Sequence, residues 1–155
     1  MNRKLYTVGY GGMTAPDFVE RLVTNGVQTL VDIRELPISR KAGFAKTALR
    51  AHLEAREVSY THLKWLGSPT SLRHEVRKSK DYAKFFRGLH RFYQQDECQA
   101  QLQELIKIAR KSRACIMCYC PEAPHCHRSQ VVKALDDIAS FSIVHIGESR
   151  QLHAA

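Results

Sequence analysis

Short apolar runs alternate along this chain with longer segments whose apolar residues recur at helical spacing, and that alternation restricts the fold more than any other feature. Leu5–Gly9 reads as a short buried strand running into Gly9-Tyr10-Gly11-Gly12. Thr14-Ala15-Pro16-Asp17 has the marks of a helix start: Thr14 can cap, Pro16 suits the first turn, and Asp17 complements the helix dipole. Phe18, Leu22 and Val23 supply the apolar stripe, and Asn25-Gly26 ends it. Val27–Ile33 is a second strand, apolar enough to be covered on both faces. Two strands joined by one helix make a βαβ unit, so the sheet begins parallel.

The alternation continues. A helix is expected from about Ala45 to Arg56, with Leu49 and Leu53 inward, then a third strand over Val58–Leu63. Trp65-Leu66-Gly67-Ser68-Pro69 breaks the pattern. Asp81 can cap a helix carrying Tyr82, Phe85, Phe86, Leu89 and Phe92, and another helix runs roughly from Glu97 to Lys111. Ala114–Cys120 reads as a central strand. A helix then starts near Cys126 or His127, with Val131, Val132, Leu135 and Ile138 inward, and Phe141–Ile146 is the last strand. The expected fold is a Rossmann-like, three-layer α/β arrangement: a mostly parallel sheet of about five strands with helices on both faces. At 155 residues a second core would be crowded, so residues 1–155 are read as a single domain.

Composition narrows the setting. No apolar run approaches the ~20 residues needed to span a bilayer. The segment Met1-Asn2-Arg3-Lys4-Leu5 lacks the long apolar stretch of a secretory signal, which makes the cytoplasm the expected compartment, with no membrane partner. Five cysteines fit a reducing setting: their number is odd, and four of them crowd between Cys115 and Cys126. Buried thiols, a metal site or reactive chemistry are the readings this leaves. The net charge of +9 points to anionic partners, nucleotide or nucleic acid foremost. Arg73, Arg77, Lys78, Lys80, Lys84, Arg87 and Arg91 form the main basic cluster, and solvated helix faces would account for it equally well.

In open parallel sheets, ligands bind beyond the carboxyl ends of the strands. That rule selects three loops: Gly9-Tyr10-Gly11-Gly12, Asp32–Arg40 and Cys118–Ser129. The first is an incomplete phosphate-binding fingerprint and offers Tyr10 as a ligand contact. Asp32 and Arg34, two residues apart at a strand end, can be a structural ion pair or an acid beside an anion clamp. Arg40 and Ser39 add anion-binding groups on the same loop. The run Cys126-His127-Arg128-Ser129 opens a helix, where free N–H groups and the dipole favour an anion. Arg128 can fork onto a phosphate, Ser129 can donate, and a thiol in that position has its pKa lowered, making Cys126 a candidate thiolate. The plain alternative makes Ser129 a cap and Cys126 a packing residue. Cys118, Cys120, Cys126 and His127, with His125 and His145 near, contain zinc-type donors. Cys-x-Cys on a strand is a poor zinc knuckle, however, and the expectation is no metal and no other cofactor.

Taken together, Tyr6-Thr7-Val8-Gly9-Tyr10, Val31-Asp32-Ile33-Arg34, Pro37 with Ser39-Arg40, Leu66-Gly67, Cys118 with Cys126-His127-Arg128-Ser129, and His145-Ile146 resemble the domain-of-unknown-function family numbered 488. The resemblance implies a compact α/β domain with Asp32, Arg34, Cys126, His127 and Arg128 at matching positions, and implies no settled activity. The family commonly carries an acid two positions after the first cysteine of the last motif, where this chain has Cys120. Either Glu122 substitutes for it or the acid's role is lost.

Three functional readings follow. The leading one is a phosphate-, nucleotide- or nucleic-acid-directed domain, in which Arg34, Arg40 and Arg128 hold an anion and Asp32 or His127 does acid–base work. The second is thiol redox or metal-dependent chemistry centred on Cys126, with Cys118 or Cys120 as its resolving partner. The third is a binding module in which the same residues recognise a ligand without transforming it.

Overall fold

The computed structural model describes residues 3–120 and 126–147. Five strands form one sheet: β1 (Arg3–Gly9), β2 (Thr29–Asp32), β3 (Ser59–His62), β4 (Ala114–Cys118) and β5 (Phe141–Ile146). Their spatial order is β3-β2-β4-β1-β5, and every pairing is parallel. The helices among the described residues are α1 (Ala15–Thr24), α2 (Lys46–Glu54), α3 (Thr70–Ser79), α4 (Tyr82–Phe92), α5 (Asp96–Lys111) and α6 (His127–Asp136), with a 3-10 turn at Lys64–Leu66. This is the expected three-layer, Rossmann-like arrangement.

Strand alternation divides the core in two. Leu30, Cys115 and Met117 face α1 and α2, where they meet Phe18, Leu22, Leu49 and Leu53. Val31, Ile116 and Cys118 face the opposite side, against Leu89, Leu102, Leu105 and Val131 of α4, α5 and α6. From β1 the chain steps toward one edge by way of α1 and α2, then returns across the sheet by way of α3 to α6. Connections therefore leave β2 and β4 on opposite faces, and a crevice opens between the loops that follow them.

Local chemistry sets most boundaries. Thr14 caps α1 by accepting from the Asp17 N–H. Asn25 closes that helix and Gly26 takes φ +73°, a left-handed turn that ties the Val27 N–H to the Leu22 carbonyl. That exit turn uses Val27, so β2 begins at Thr29 rather than at Val27. Three further expectations are corrected. A helix forms over Thr70–Ser79, where no element was read. Ile138 lies past the Asp137 cap of α6 and is 39% exposed instead of inward. Tyr82, expected in the apolar stripe of α4, is its first residue and is 47% exposed. No helix among the described residues is long and apolar enough to cross a membrane.

Candidate functional site

Asp32 ends β2 on the face shared with Leu30 and is fully buried. It accepts from Arg34 at both oxygens, Nε to Oδ1 at 2.9 Å and Nη2 to Oδ2 at 2.7 Å, and from the Arg34 N–H at 3.0 Å. The Tyr60 hydroxyl donates to Oδ2 at 2.5 Å. Arg34 spends its remaining Nη1 on the Phe44 carbonyl at 2.8 Å and the Tyr10 hydroxyl at 3.4 Å. Its guanidinium lies over the Tyr10 ring, which stacks on Phe44 at 4.4 Å. Burial opposes the charge on Arg34, but the hydrogen bonds and charge of Asp32 outweigh it and raise the pKa. Tyr60 is likewise raised, by burial first and then by its bond to Asp32, so it stays a phenol donor. Every polar atom of the Asp32–Arg34 pair is engaged. In this geometry the pair fixes the loop after β2, as the structural ion-pair reading of the two residues has it.

The end of β4 is built differently. Cys118 is its last residue and Cys126 is the N-cap of α6, its Sγ accepting from the Arg128 N–H at 3.4 Å. The Sγ atoms of Cys118 and Cys126 stand 2.6 Å apart, and His127 Nδ1 lies 3.7 Å from Cys126 Sγ. Burial, then the hydrogen bond with Cys118, pushes the Cys126 thiol up to about 12. This reverses the expected low pKa, because desolvation of the thiolate outweighs the helix terminus. Burial lowers His127 to about 4, against a smaller opposing contribution from the Ile33 carbonyl. Its ring is therefore neutral at pH 7, with Nε2 buried and lacking a partner among the described residues. The Ser129 hydroxyl donates to the Cys126 carbonyl at 2.7 Å, which closes the first turn of α6.

Arg128 is fully buried beneath this turn. Nη1 donates to Thr7 Oγ1 at 3.1 Å and Nη2 to the Cys120 carbonyl at 3.0 Å, while Nε has no partner among the described residues. A guanidinium cannot accept, so Thr7 Oγ1 accepts from Arg128, and the same oxygen shares a hydrogen bond with His145 Nδ1, 2.5 Å away. No carboxylate among the described residues pairs with Arg128. Its charge is buried without a counter-charge there, which is costly unless an anion arrives.

A cleft of about 420 Å³ opens over the ends of β2 and β4. Its floor includes Cys118, Cys126 and His127, and Arg34 borders it. Glu35, Ser68 and Arg73 form a polar wall in which Arg73 bonds the Ser68 carbonyl, the Thr70 hydroxyl and Glu35. The rim carries Leu36, Ile38, Tyr82 and Tyr119, four of the five large hydrophobic side chains exposed among the described residues. Of the residues singled out from sequence, Arg34, Cys118, Cys120, Cys126 and His127 thus meet at one cleft. Arg128 and Ser129 lie behind its floor, and Tyr10 and Asp32 sit on the opposite side of the sheet. Ser39 caps the Lys41 N–H at 3.1 Å, and Arg40 points to solvent on the same loop, neither lining the cleft. Glu122 and His125 lie outside the described residues. Sequence reasoning missed Glu35, Ser68, Arg73, Tyr82 and Tyr119. The position of Tyr119 inside the selected Cys118–Ser129 loop was an available signal; Tyr82 and the wall gave none, because they depend on how α3 and α4 pack.

A family model described as Domain of unknown function DUF488 matches residues 14–135. No curated protein matches the chain. No solved structure matches it either.

Proposed function

The chain belongs to the DUF488 family, and on that premise we propose that its cleft binds an anionic ligand with a flat apolar part, a nucleotide or a nucleotide unit of a nucleic acid. The composition of the cleft carries the reading. Tyr82 and Tyr119 stand exposed at the rim with Leu36 and Ile38, as stacking surfaces for a base do. Beneath the floor, α6 presents its N-terminus and the Arg128 charge, which has no counter-charge among the described residues, a local field that favours phosphate. The anion is held by that field and by the basic exterior; the guanidinium of Arg34 is committed to Asp32. His127 lies at the floor of the cleft beside Cys118 and Cys126.

The test is a titration of nucleoside monophosphates and short oligonucleotides against wild type, Tyr82→Ala and Tyr119→Ala. Both tyrosines are exposed, so the variants keep the fold. Stacking is worth about 1–3 kcal/mol per base, and each variant should weaken binding roughly tenfold. Wild-type binding that both variants retain in full, or no binding by wild type, sinks the reading.

A further inference from the structure

We infer that Cys118, Cys126 and His127 form a site for a thiophilic divalent cation, Zn²⁺ by its donor set, with one coordination position open to the cleft. The inference stands independently of the ligand proposed above. The three donors come from the last residue of β4, the N-cap of α6 and its first helical position, and their ligating atoms all lie within 4.8 Å of one another. Cys-x-Cys argued against a metal in the sequence, but Cys126 rather than Cys120 converges with Cys118 and His127.

The distances bear on the occupant. Zn–S and Zn–N bonds of about 2.3 and 2.0 Å put a sulfur and a nitrogen ligand about 3.6 Å apart at tetrahedral angles. Cys126 Sγ and His127 Nδ1 stand at 3.7 Å. The two sulfurs, at 2.6 Å, are closer than unbonded sulfurs rest. Both are free thiols in contact, and a cation between them would hold them at about 3.8 Å. A disulfide would account for the sulfurs and leave the His127 ring unexplained. A cation accounts for all three donors through an opening of the sulfur pair by about 1 Å.

The surroundings suit the bound form. The Arg128 N–H already points at Cys126 Sγ at 3.4 Å, the kind of outer-shell hydrogen bond that steadies a metal thiolate. An imidazole ligates in its neutral form, so only the two thiols give up protons on binding. Binding one Zn²⁺ breaks two S–H bonds, forms two Zn–S bonds and releases two protons to solvent. A dication with two thiolates and a neutral imidazole has no net charge. The buried Arg128 cation beside it then favours an anion in the open fourth position.

The test is metal uptake by the full chain, reduced and stripped by chelator, titrated with Zn²⁺ and with Co²⁺ as the spectroscopic probe. One equivalent should bind, Co²⁺ should give a sulfur-to-cobalt band with tetrahedral d–d absorption, and two thiols should become protected from alkylation. Cys118→Ser and Cys126→Ser should each lose the sulfur-to-cobalt band of the paired site and most of the affinity. His127→Gln, at a half-buried position, should weaken uptake while keeping that band. Cys98→Ser should behave as wild type, since a hydroxyl replaces the thiol that donates to the Trp65 carbonyl. No stoichiometric uptake by the reduced chain overturns the site. So does uptake that survives both cysteine substitutions, an effect in Cys98→Ser equal to theirs, or unchanged uptake by His127→Gln.

Discussion

A guanidinium taken out of water needs an opposing charge or a full set of acceptors, and the two arginines buried among the described residues meet that need unequally. Arg34 has Asp32 on both prongs, whereas Arg128 has a hydroxyl, a carbonyl and an Nε with no described partner. Asp32→Asn should therefore cost about 3–5 kcal/mol, because it strands a buried charge. Arg128→Met, similar in length and uncharged, should leave stability within about 1 kcal/mol of wild type or raise it, while removing anion binding. Urea denaturation of both variants checks the contrast; equal losses would mean that Arg128 serves the fold alone. His127 gives a second residue-scale expectation. Its folded pKa of about 4 lies below the ordinary value of 6.5, so between those values the unfolded chain binds more protons. Its contribution is complete above pH 6.5 and is lost as pH falls through about 4, a loss of up to about 3 kcal/mol. Melting temperature measured from pH 7 to pH 4 should fall less steeply in His127→Gln; parallel curves would show that the ring titrates alike in both states.

Between elements, the cleft depends on one close approach. A Cβ at Gly67 would stand 2.4 Å from the Glu35 nitrogen and 2.6 Å from the Ile33 carbonyl oxygen, both backbone atoms. Gly67 thus lets the segment entering α3 lie against the loop after β2 and sets Ser68 and Arg73 in the wall. Gly67→Ala should cost about 1–3 kcal/mol and weaken ligand binding, because the backbone must separate. A lower denaturation midpoint with unchanged slope, together with reduced affinity, is the expected result; wild-type values for both would mean that the contact yields freely. The same element shows what sequence could and could not supply. α1 was legible through its Thr14 cap and Asn25-Gly26 exit, and β5 through a compact apolar run. α3 was not, because it buries no residue fully and touches the core only through Leu72 and Val76. Residues of the two loops picked by the strand-end rule do border one cleft, but the face on which each residue points depends on register. Asp32 pairs with Met117, so Cys118, the next residue on β4, turns to the other side. Periodicity within a strand carries no information about that pairing.

For the molecule as a whole, the net charge of +9 acquires a position. One groove adjoins the cleft, between α3 and α4, of about 320 Å³ and sharing Val76 and Phe85 with it; a second, between α4 and α6, of about 510 Å³, continues from the first. Arg87 and Arg91 border both grooves, and Lys133 the second; none of the three is ion-paired among the described residues. Lys84, in contrast, is tied to Glu75 at 2.5 Å. A strand of nucleic acid with one base in the cleft would find this cationic path beside it, whereas a free nucleotide would end within the cleft. The two ligands can be separated by reversing charges outside the cleft. Arg87→Glu with Arg91→Glu changes only exposed side chains, so stability should move by no more than about 0.5 kcal/mol. Oligonucleotide affinity should fall, and the dependence of log K on log salt should flatten by about two units, roughly one per lost phosphate contact. Mononucleotide affinity should hold. If oligonucleotide binding and its salt dependence survive the double reversal, the helices are a solvated basic face and the ligand of the cleft is a small molecule. If mononucleotide binding falls in step with the oligonucleotide, these arginines act through the general field at the cleft, and the path beside it carries no strand.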